Sequence, residues 1–165
     1  MQPKLGLNEQ QQQGVIKVMG TVLADQHVLY TKLRNYHWNI VGSEFFALHE
    51  LFEEQYNELK ESADTVAERI RAHGGHAIGT LTEFLERTRL GEHPGKYPDA
   101  KQMVLNIVKD HEAIVRHLRT DAEKCAEEYG DTATEDLLIG LMQDHQEMAW
   151  MLRSFVEGEP LTPVD

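Results

Sequence analysis

Two histidines and two carboxylates in the first half of the chain have the residue types and spacing of a metal site. His37 and His49 come first, and Asp64 and Glu68 follow. On a helix, Asp64 and Glu68 would share one face, one turn apart. Two carboxylates joined by imidazole ligands suit a hard or borderline cation such as Fe(II). The alternative is a solvated acidic helix face, or an ion pair with an arginine, beside histidines that merely pack.

The composition of the chain favours a cation as the ligand. Its 165 residues carry a formal net charge of −12 and include nine histidines. An acidic surface attracts cations and repels nucleic acid and anionic lipid. Cys125 is the single cysteine, which excludes an intrachain disulfide and a cysteine-based metal site and fits a reducing compartment. Since no signal peptide or long apolar run is visible, a cytoplasmic protein without membrane association is expected.

The elements that position these residues are predicted to be helices, because apolar residues recur at intervals of three and four. Capping residues predict where four helices start: Ser43 with Glu44 in the first turn, Thr80–Glu83, Asp99 and Thr132–Glu135. Two glycines predict helix ends, Gly74 and Gly130. The result is four long helices and one short helix, which runs to about Arg89.

The arrangement of these helices predicts a fold class. The short helix lies in a connection of about 25 residues between the second and third long helices, which is long enough to cross a bundle from end to end. The chain is therefore predicted to be all-α, a ferritin-like four-helix bundle with a short helix in the crossover. We expect one domain over residues 1–165, with a short N-terminal extension at 1–8 and a C-terminal tail at 158–165.

The spacing along the second helix constrains the metal site. If that helix is continuous, the 15 residues from His49 to Asp64 span ~22 Å along its axis, so the two side chains cannot bind one ion within one chain. The same interval is close to four whole turns, so both side chains face nearly the same way. Two chains packed antiparallel about a two-fold axis would bring His49 of one near Asp64 of the other, forming two equivalent sites.

A longer pattern surrounds these residues and carries a family resemblance. It consists of His37-Trp38-Asn39, Gly42, Phe46, Leu48-His49-Glu50, Tyr56, Asp64, Ala67-Glu68-Arg69 and Gly74-Gly75. On this pattern, and over nearly its whole length, the chain closely resembles the Dps family (DNA protection during starvation) of mini-ferritins.

The resemblance implies a fold, an assembly and an activity. Members form a hollow dodecameric shell with ferroxidase sites at two-fold dimer interfaces. By resemblance, His37 and His49 of one subunit face Asp64 and Glu68 of its mate, with Trp38 close by. Fe(II) would be oxidised there, by hydrogen peroxide in preference to dioxygen, and ferric mineral would be stored inside. This implies a ferroxidase and iron store that protects against oxidative stress; whether zinc or manganese competes is left open.

One position departs from the family pattern, and further acidic residues receive roles by resemblance. The family usually has Asp four residues after the second histidine, and this chain has Glu53, which is either a ligand of a second, weaker iron position or a structural carboxylate. Glu50, Glu53 and Glu54 are candidates for mineral nucleation, or plain acidic surface. Candidates for an iron-entry pore at the three-fold axes, or alternatively for helix-capping charges, are Glu127, Asp131 and Asp136.

Two competing functions remain. DNA-binding members of the family use a mobile basic tail, whereas residues 1–16 contain only Lys4 as a basic residue and residues 158–165 contain none. A nucleoid protein whose shell acts mainly as a shield is therefore disfavoured, and weak or no DNA binding is expected. A shell with an inactive site is the third hypothesis. The other seven histidines are interpreted as structural or surface residues, and Cys125 as a small buried residue.

Overall fold

The computed structural model describes residues 3–157, and the chain in that range forms five helices and no strand. Their bounds are α1 Glu9–Asn39, α2 Phe45–Ala72, α3 Leu81–Arg87, α4 Ala100–Glu127 and α5 Thr132–Arg153. This confirms the predicted all-α bundle with a short helix in the crossover. No helix in the described range is long and apolar enough to cross a membrane. The predicted C-terminal tail, 158–165, lies outside the described residues.

Two antiparallel helix pairs build the bundle. α1 packs along α2, and α4 packs along α5; α3 lies against α1, which also contacts α4. One continuous core joins them, because each long helix turns an apolar face inward. Its largest fully buried side chains are Met19, Leu23, Leu29, Leu33, Ile40, Leu48, Phe52, Leu59, Ile70, Met103, Ile107 and Ile114.

The crossover is attached to α1 and α4 by buried charged groups. The Asp25 carboxylate accepts hydrogen bonds from the Thr88 hydroxyl at 3.0 Å and from the Arg89 backbone at 2.7 Å. The Arg89 guanidinium also bonds Asp25, and it reaches Asp121 on α4 at 2.8 Å. These contacts explain why α3 ends at Arg87 and not at Arg89, because the backbone after Arg87 turns to bind Asp25.

Most helix ends follow the predicted signals, and two differ. The capping box at Thr80 and the N-cap at Asp99 are both present, and Gly74 and Gly130 adopt positive φ after α2 and α4. The predicted N-cap Ser43 is wrong: a turn that begins at Gly42 includes Ser43 and Glu44, and α2 starts at Phe45 without a side-chain cap.

The start of α5 also differs from the prediction. Its N-cap is Asp131, whose carboxylate accepts a hydrogen bond from the Thr134 backbone, so the predicted capping box of Thr132–Glu135 does not form. The reversal at Gly130 places Asp131 directly before the first helical residue, and an Asp at that position is an effective N-cap.

Candidate metal centre

His37 and His49 pack against each other where α1 leads into α2. Their rings stack with centroids 3.7 Å apart. The Nδ1 of His37 lies 2.8 Å from the backbone oxygen of His49, and the Nδ1 of His49 lies 2.9 Å from the backbone oxygen of His37. A carbonyl oxygen only accepts hydrogen bonds, so each Nδ1 is the donor. With the Nδ1 proton used in this way, Nε2 is the ring nitrogen that can bind a metal, the usual arrangement of metal-binding histidines.

Glu53 places a carboxylate beside these two rings. One ligand atom each from His37, His49 and Glu53 lies within 4.8 Å of the others. Among the residues that the structure describes, no other group of three histidine, cysteine or acidic side chains meets this distance. His49 and Glu53 are four residues apart on α2 and share a face. Two imidazoles with one carboxylate suit Fe(II) and leave coordination positions open.

An aromatic side chain, Tyr56, contacts both Glu53 and the histidine pair. The Tyr56 hydroxyl donates to the Glu53 carboxylate at 3.1 Å, and its ring meets the His37 ring edge-on at 5.3 Å. The Tyr30 ring contacts Tyr56 edge-on at 5.9 Å. Desolvation, followed by the hydrogen bond to Glu53, raises the pKa of Tyr56. Tyr56 entered the sequence analysis only within the family pattern, and its three-residue spacing from Glu53 was the available sign of this contact.

Exposed apolar side chains surround the histidine pair. Trp38 is 64% exposed and its ring lies 4.8 Å from the Arg34 guanidinium carbon. Val41 and Phe46, which flank the turn between α1 and α2, are 76% and 79% exposed. Large apolar groups left in solvent at a polar centre are typical of a surface that a partner covers.

Asp64 and Glu68 do not join this group within one protomer. Both are exposed on α2 and lie outside the cluster formed by the two histidines and Glu53. Because α2 is unbroken, Asp64 lies ~22 Å from His49 along the helix axis. Asp64 instead lines a groove of about 540 Å³ beside α1, together with Tyr30. One chain therefore carries both halves of the predicted ligand set, but they lie too far apart to bind the same ion.

Asp131 is engaged within the protomer. It is 8% exposed, caps α5 through Thr134, and pairs with Arg69 at 3.2 Å. The His73 Nε2 lies 3.1 Å from its second oxygen. These contacts give Asp131 a structural role within the protomer. The pore role stays a prediction for Asp131 and for the two exposed residues of that set, Glu127 and Asp136.

The three glutamates predicted to nucleate mineral lie on two different faces of α2. Glu53 faces the histidines, whereas Glu50 and Glu54 line a groove with Trp150 and Phe155 of the C-terminal end of the bundle. Their part in nucleation stays a prediction.

A further acidic groove, missed in the sequence analysis, follows α2 and α5. It has a volume of about 770 Å³, and its acidic lining residues are Glu58, Glu61, Asp136, Asp144 and Glu147. Desolvation and then the neighbouring carboxylates raise the pKa of Glu58 and of Asp144. Carboxylates that repel in this way favour a cation nearby. The three-residue spacing of Asp144 and Glu147 was the available sequence signal for this acidic groove.

A second histidine pair lies inside the bundle. The Nδ1 atoms of His111 on α4 and His145 on α5 are 2.8 Å apart, and both residues are buried. The Gln55 amide donates to the Met148 backbone oxygen, so its Oε1 faces the His111 Nε2 at 3.3 Å and accepts from it. His111 Nδ1 is then an acceptor, and His145 Nδ1 is the donor.

The chain of hydrogen bonds continues to α1 and α2. With its proton on Nδ1, His145 accepts at Nε2 from the Gln26 amide at 2.8 Å, and the Ser62 hydroxyl donates to the Gln26 oxygen at 3.2 Å. Desolvation lowers the pKa of His145 to about 3; desolvation and then His145 lower the pKa of His111. Both rings are neutral and every ring nitrogen has a partner, so this pair has no lone pair for a metal.

Cys125 is buried, as predicted. Desolvation, followed by Asp131, raises its pKa to about 12. The thiol therefore stays protonated at neutral pH and is neither a nucleophile nor a metal ligand.

The fold and the centre together define a ferritin-like protein, and comparison with known families agrees. A family model described as a ferritin-like domain matches residues 16–161. The chain is similar to a protein of Bacillus anthracis named DNA protection during starvation protein 2, at 42% identity over 143 residues, covering 86% of this chain and 96% of that protein. The chain belongs to the Dps family of ferritin-like proteins.

Two further similarities extend over nearly the whole chain. An uncharacterized low temperature-induced protein of Nostoc is 46% identical over 159 residues, covering 96% of this chain and 89% of the relative. The crystal structure of a Dps protein from Vibrio cholerae, described as a member of the ferritin-like diiron-carboxylate superfamily, superposes with a TM-score of 0.86. It has 30% identity and covers 95% of this chain and 98% of its own.

Proposed function

We propose that this protein oxidises and stores iron as a Dps-type mini-ferritin, with ferroxidase sites that two subunits share. The observation that carries the proposal is the reciprocal bonding of His37 and His49, which leaves both Nε2 atoms free beside Glu53. Membership of a family related to diiron-carboxylate proteins supports iron as the metal. Iron is here the substrate and cargo.

Each site is proposed to combine residues of two subunits. One subunit contributes His37, His49 and Glu53; the other contributes Asp64 and Glu68. The length of α2 supports this division, because it separates the two halves too far for one chain to close the site. The exposed Trp38 and Phe46 beside the histidines support a covering partner. Antiparallel pairing makes two such sites per dimer, and a dodecamer of these dimers is proposed from the family.

The proposed reaction uses two Fe(II) ions for each peroxide. The two ions give up one electron each, the O–O bond breaks, and two protons complete two molecules of water. Because both electrons arrive together, no hydroxyl radical is released. The two imidazoles and three carboxylates hold the ions, and the carboxylate charge stabilises the Fe(III) product. Fe(III) then hydrolyses to mineral, for which Glu50, Glu53 and Glu54 are proposed nucleation residues. Glu127, Asp131 and Asp136 are proposed to line the entry path.

The first test mixes anaerobic Fe(II) with the assembled protein and then adds peroxide at half the iron concentration. We expect ferric absorbance to rise faster than in buffer, with iron eluting in the shell-sized peak. His37→Ala should abolish the fast phase, and His93→Ala, at an exposed histidine of the crossover, should not. Repeating the titration with zinc or manganese present measures competition. Oxidation no faster than buffer would contradict the proposal.

The second test asks whether two subunits share each site. Protein is refolded from a mixture of His49→Ala and Asp64→Ala chains. A mixed dimer then holds one site with both defects and one intact site, so activity absent from each variant should return in the mixture. A site confined to one chain gives no such recovery.

DNA binding is expected to be weak or absent at physiological salt. The net charge of −12, and the single basic residue among residues 1–16 and 158–165, leave few groups to contact phosphates. A gel-shift titration with duplex DNA in the presence of a chelator tests this, and tight binding under those conditions would restore the nucleoid hypothesis.

A further inference from the structure

Glu53 is held in place by a neighbour on its own helix. The Tyr56 hydroxyl donates to one Glu53 carboxylate oxygen at 3.1 Å, which leaves the second oxygen unused by that bond. Tyr56 and Glu53 are three residues apart on α2 and therefore adjacent on its surface. Glu53 is exposed, so without this bond its long side chain would rotate freely in solvent.

Tyr56 itself is fixed by contacts on its ring. It meets His37 edge-on at 5.3 Å with the ring planes at 85°, and Tyr30 edge-on at 5.9 Å with the planes at 88°. The Arg34 guanidinium lies 5.9 Å from its centroid. Edge-on packing of this kind restricts a ring to one orientation. The hydroxyl therefore has a defined position relative to the histidine that binds the metal.

We propose that Tyr56 is a positioning residue that turns Glu53 into a metal ligand, so that Glu53 and Tyr56 together replace the shorter aspartate usual in the family. This inference rests on the proposed function. The extra methylene of glutamate allows the carboxylate to reach the Tyr56 hydroxyl while it stays within 4.8 Å of the ligand atoms of His37 and His49. An orienting hydrogen bond of this type typically changes metal affinity by about 10- to 100-fold.

The proposal predicts a coupling between the two residues. Tyr56→Phe keeps the ring contacts and removes only the hydroxyl, and it should weaken the metal position that depends on Glu53 by about 10-fold. In a Glu53→Asp background the shorter side chain does not need the hydroxyl, so adding Tyr56→Phe should change the affinity by less than about 2-fold. Tyr30→Phe is the matched control, because the Tyr30 hydroxyl bonds Arg34 and not Glu53.

The experiment titrates Co(II) into the assembled full-length proteins and follows visible absorbance and heat. We expect tight binding by wild type and Tyr30→Phe, and weaker binding with altered absorbance for Tyr56→Phe. The Glu53→Asp/Tyr56→Phe double variant should show no further loss of affinity relative to Glu53→Asp alone. Equal affinity for wild type and Tyr56→Phe would overturn the role of Tyr56 while leaving the proposed function intact. If His49→Ala binds Co(II) as wild type does, the metal lies elsewhere, and both the proposed function and this inference fail.

Discussion

The His37–His49 pair and the His111–His145 pair each join two long helices, and they use their ring nitrogens in opposite ways. In the first pair each Nδ1 donates to a backbone oxygen, and both Nε2 atoms stay free next to a carboxylate. In the second pair all four ring nitrogens are hydrogen-bonded to each other or to glutamines. Contact between histidines is therefore not enough for a metal site; a free lone pair and a nearby negative charge are also needed.

The environment of each pair explains the difference. Outside the pair itself, the buried rings are hydrogen-bonded only to the neutral side chains of Gln26 and Gln55, so a divalent ion in their place would have no charged ligand, which is very unfavourable in a protein interior. In the pair between α1 and α2, His37 is buried but His49 is half-buried and the adjacent Glu53 is exposed, so Glu53 and the groups of a second subunit can supply that charge. Histidine thus stabilises the core at the His111–His145 pair and is proposed to bind iron at the His37–His49 pair.

The largest expected effect comes from acid acting on the buried pair. The folded pKa of His145 is about 3 and its unfolded value is about 6.5. His145 makes its full contribution to the free energy of unfolding above about pH 6.5. This contribution is lost as the pH falls toward 3, because in that range only the unfolded chain gains the proton. The loss is ~1.4 kcal/mol per pH unit, or ~5 kcal/mol over the window.

This dependence is measured by urea unfolding at fixed protein concentration. Between pH 7 and pH 5, wild type should lose about 2 kcal/mol more of its free energy of unfolding than His145→Gln. The carboxylates of the neighbouring groove titrate in both proteins and cancel from the difference. Equal losses would show that His145 is not held neutral by the fold.

The next largest effect is expected from removing one member of the buried pair. His145→Leu leaves the Gln26 amide N–H and the His111 Nδ1 without partners, and should lower the free energy of unfolding by about 3 kcal/mol. His93→Leu, at an exposed position, is the control. Co(II) affinity should be unchanged in both. A large loss of Co(II) affinity in folded His145→Leu would mean that the two pairs are not independent.

Removing a member of the His37–His49 pair should lower metal affinity and leave the free energy of unfolding nearly unchanged. His49→Ala deletes one ligand and should lower Co(II) affinity by more than about 100-fold, with little effect on unfolding because His49 is only half-buried. Equilibrium dialysis against Co(II), with His93→Ala as control, measures the affinity. A change below about 10-fold would remove His49 from the ligand set.

The smallest effect is expected at the end of the buried hydrogen-bond chain. Ser62→Ala removes a hydroxyl that lies 3.2 Å from the Gln26 oxygen and 3.0 Å from the Leu59 backbone oxygen, and should cost about 1 kcal/mol of unfolding free energy. Thr65→Ala is the matched control, because its hydroxyl bonds only the backbone of its own helix. Equal stability of the two variants would indicate that Ser62 does not fix the orientation of Gln26.

Much of the fold followed from local signals in the sequence. The period of apolar residues identified the four long helices, and turn glycines and capping residues placed most ends. The errors at Ser43 and Thr132 have one cause: several adjacent residues can cap a helix, and only the turn geometry at Gly42 and Gly130 selects among them. The length of α2 and the positions of His49 and Asp64 along it were also fixed by the sequence, because helix geometry is regular.

The tertiary structure decided which side chains meet and which protons they carry. His111 and His145 are 34 residues apart, and no local spacing reveals that they touch. Asp131, a pore candidate by resemblance, is brought by packing to Arg69 and His73, contacts that the sequence alone did not reveal. The free Nε2 atoms of His37 and His49 depend on where two backbone oxygens lie after α1 turns into α2. A sequence by itself determines which donors and acceptors exist; only the packed helices determine which of them remain unpaired.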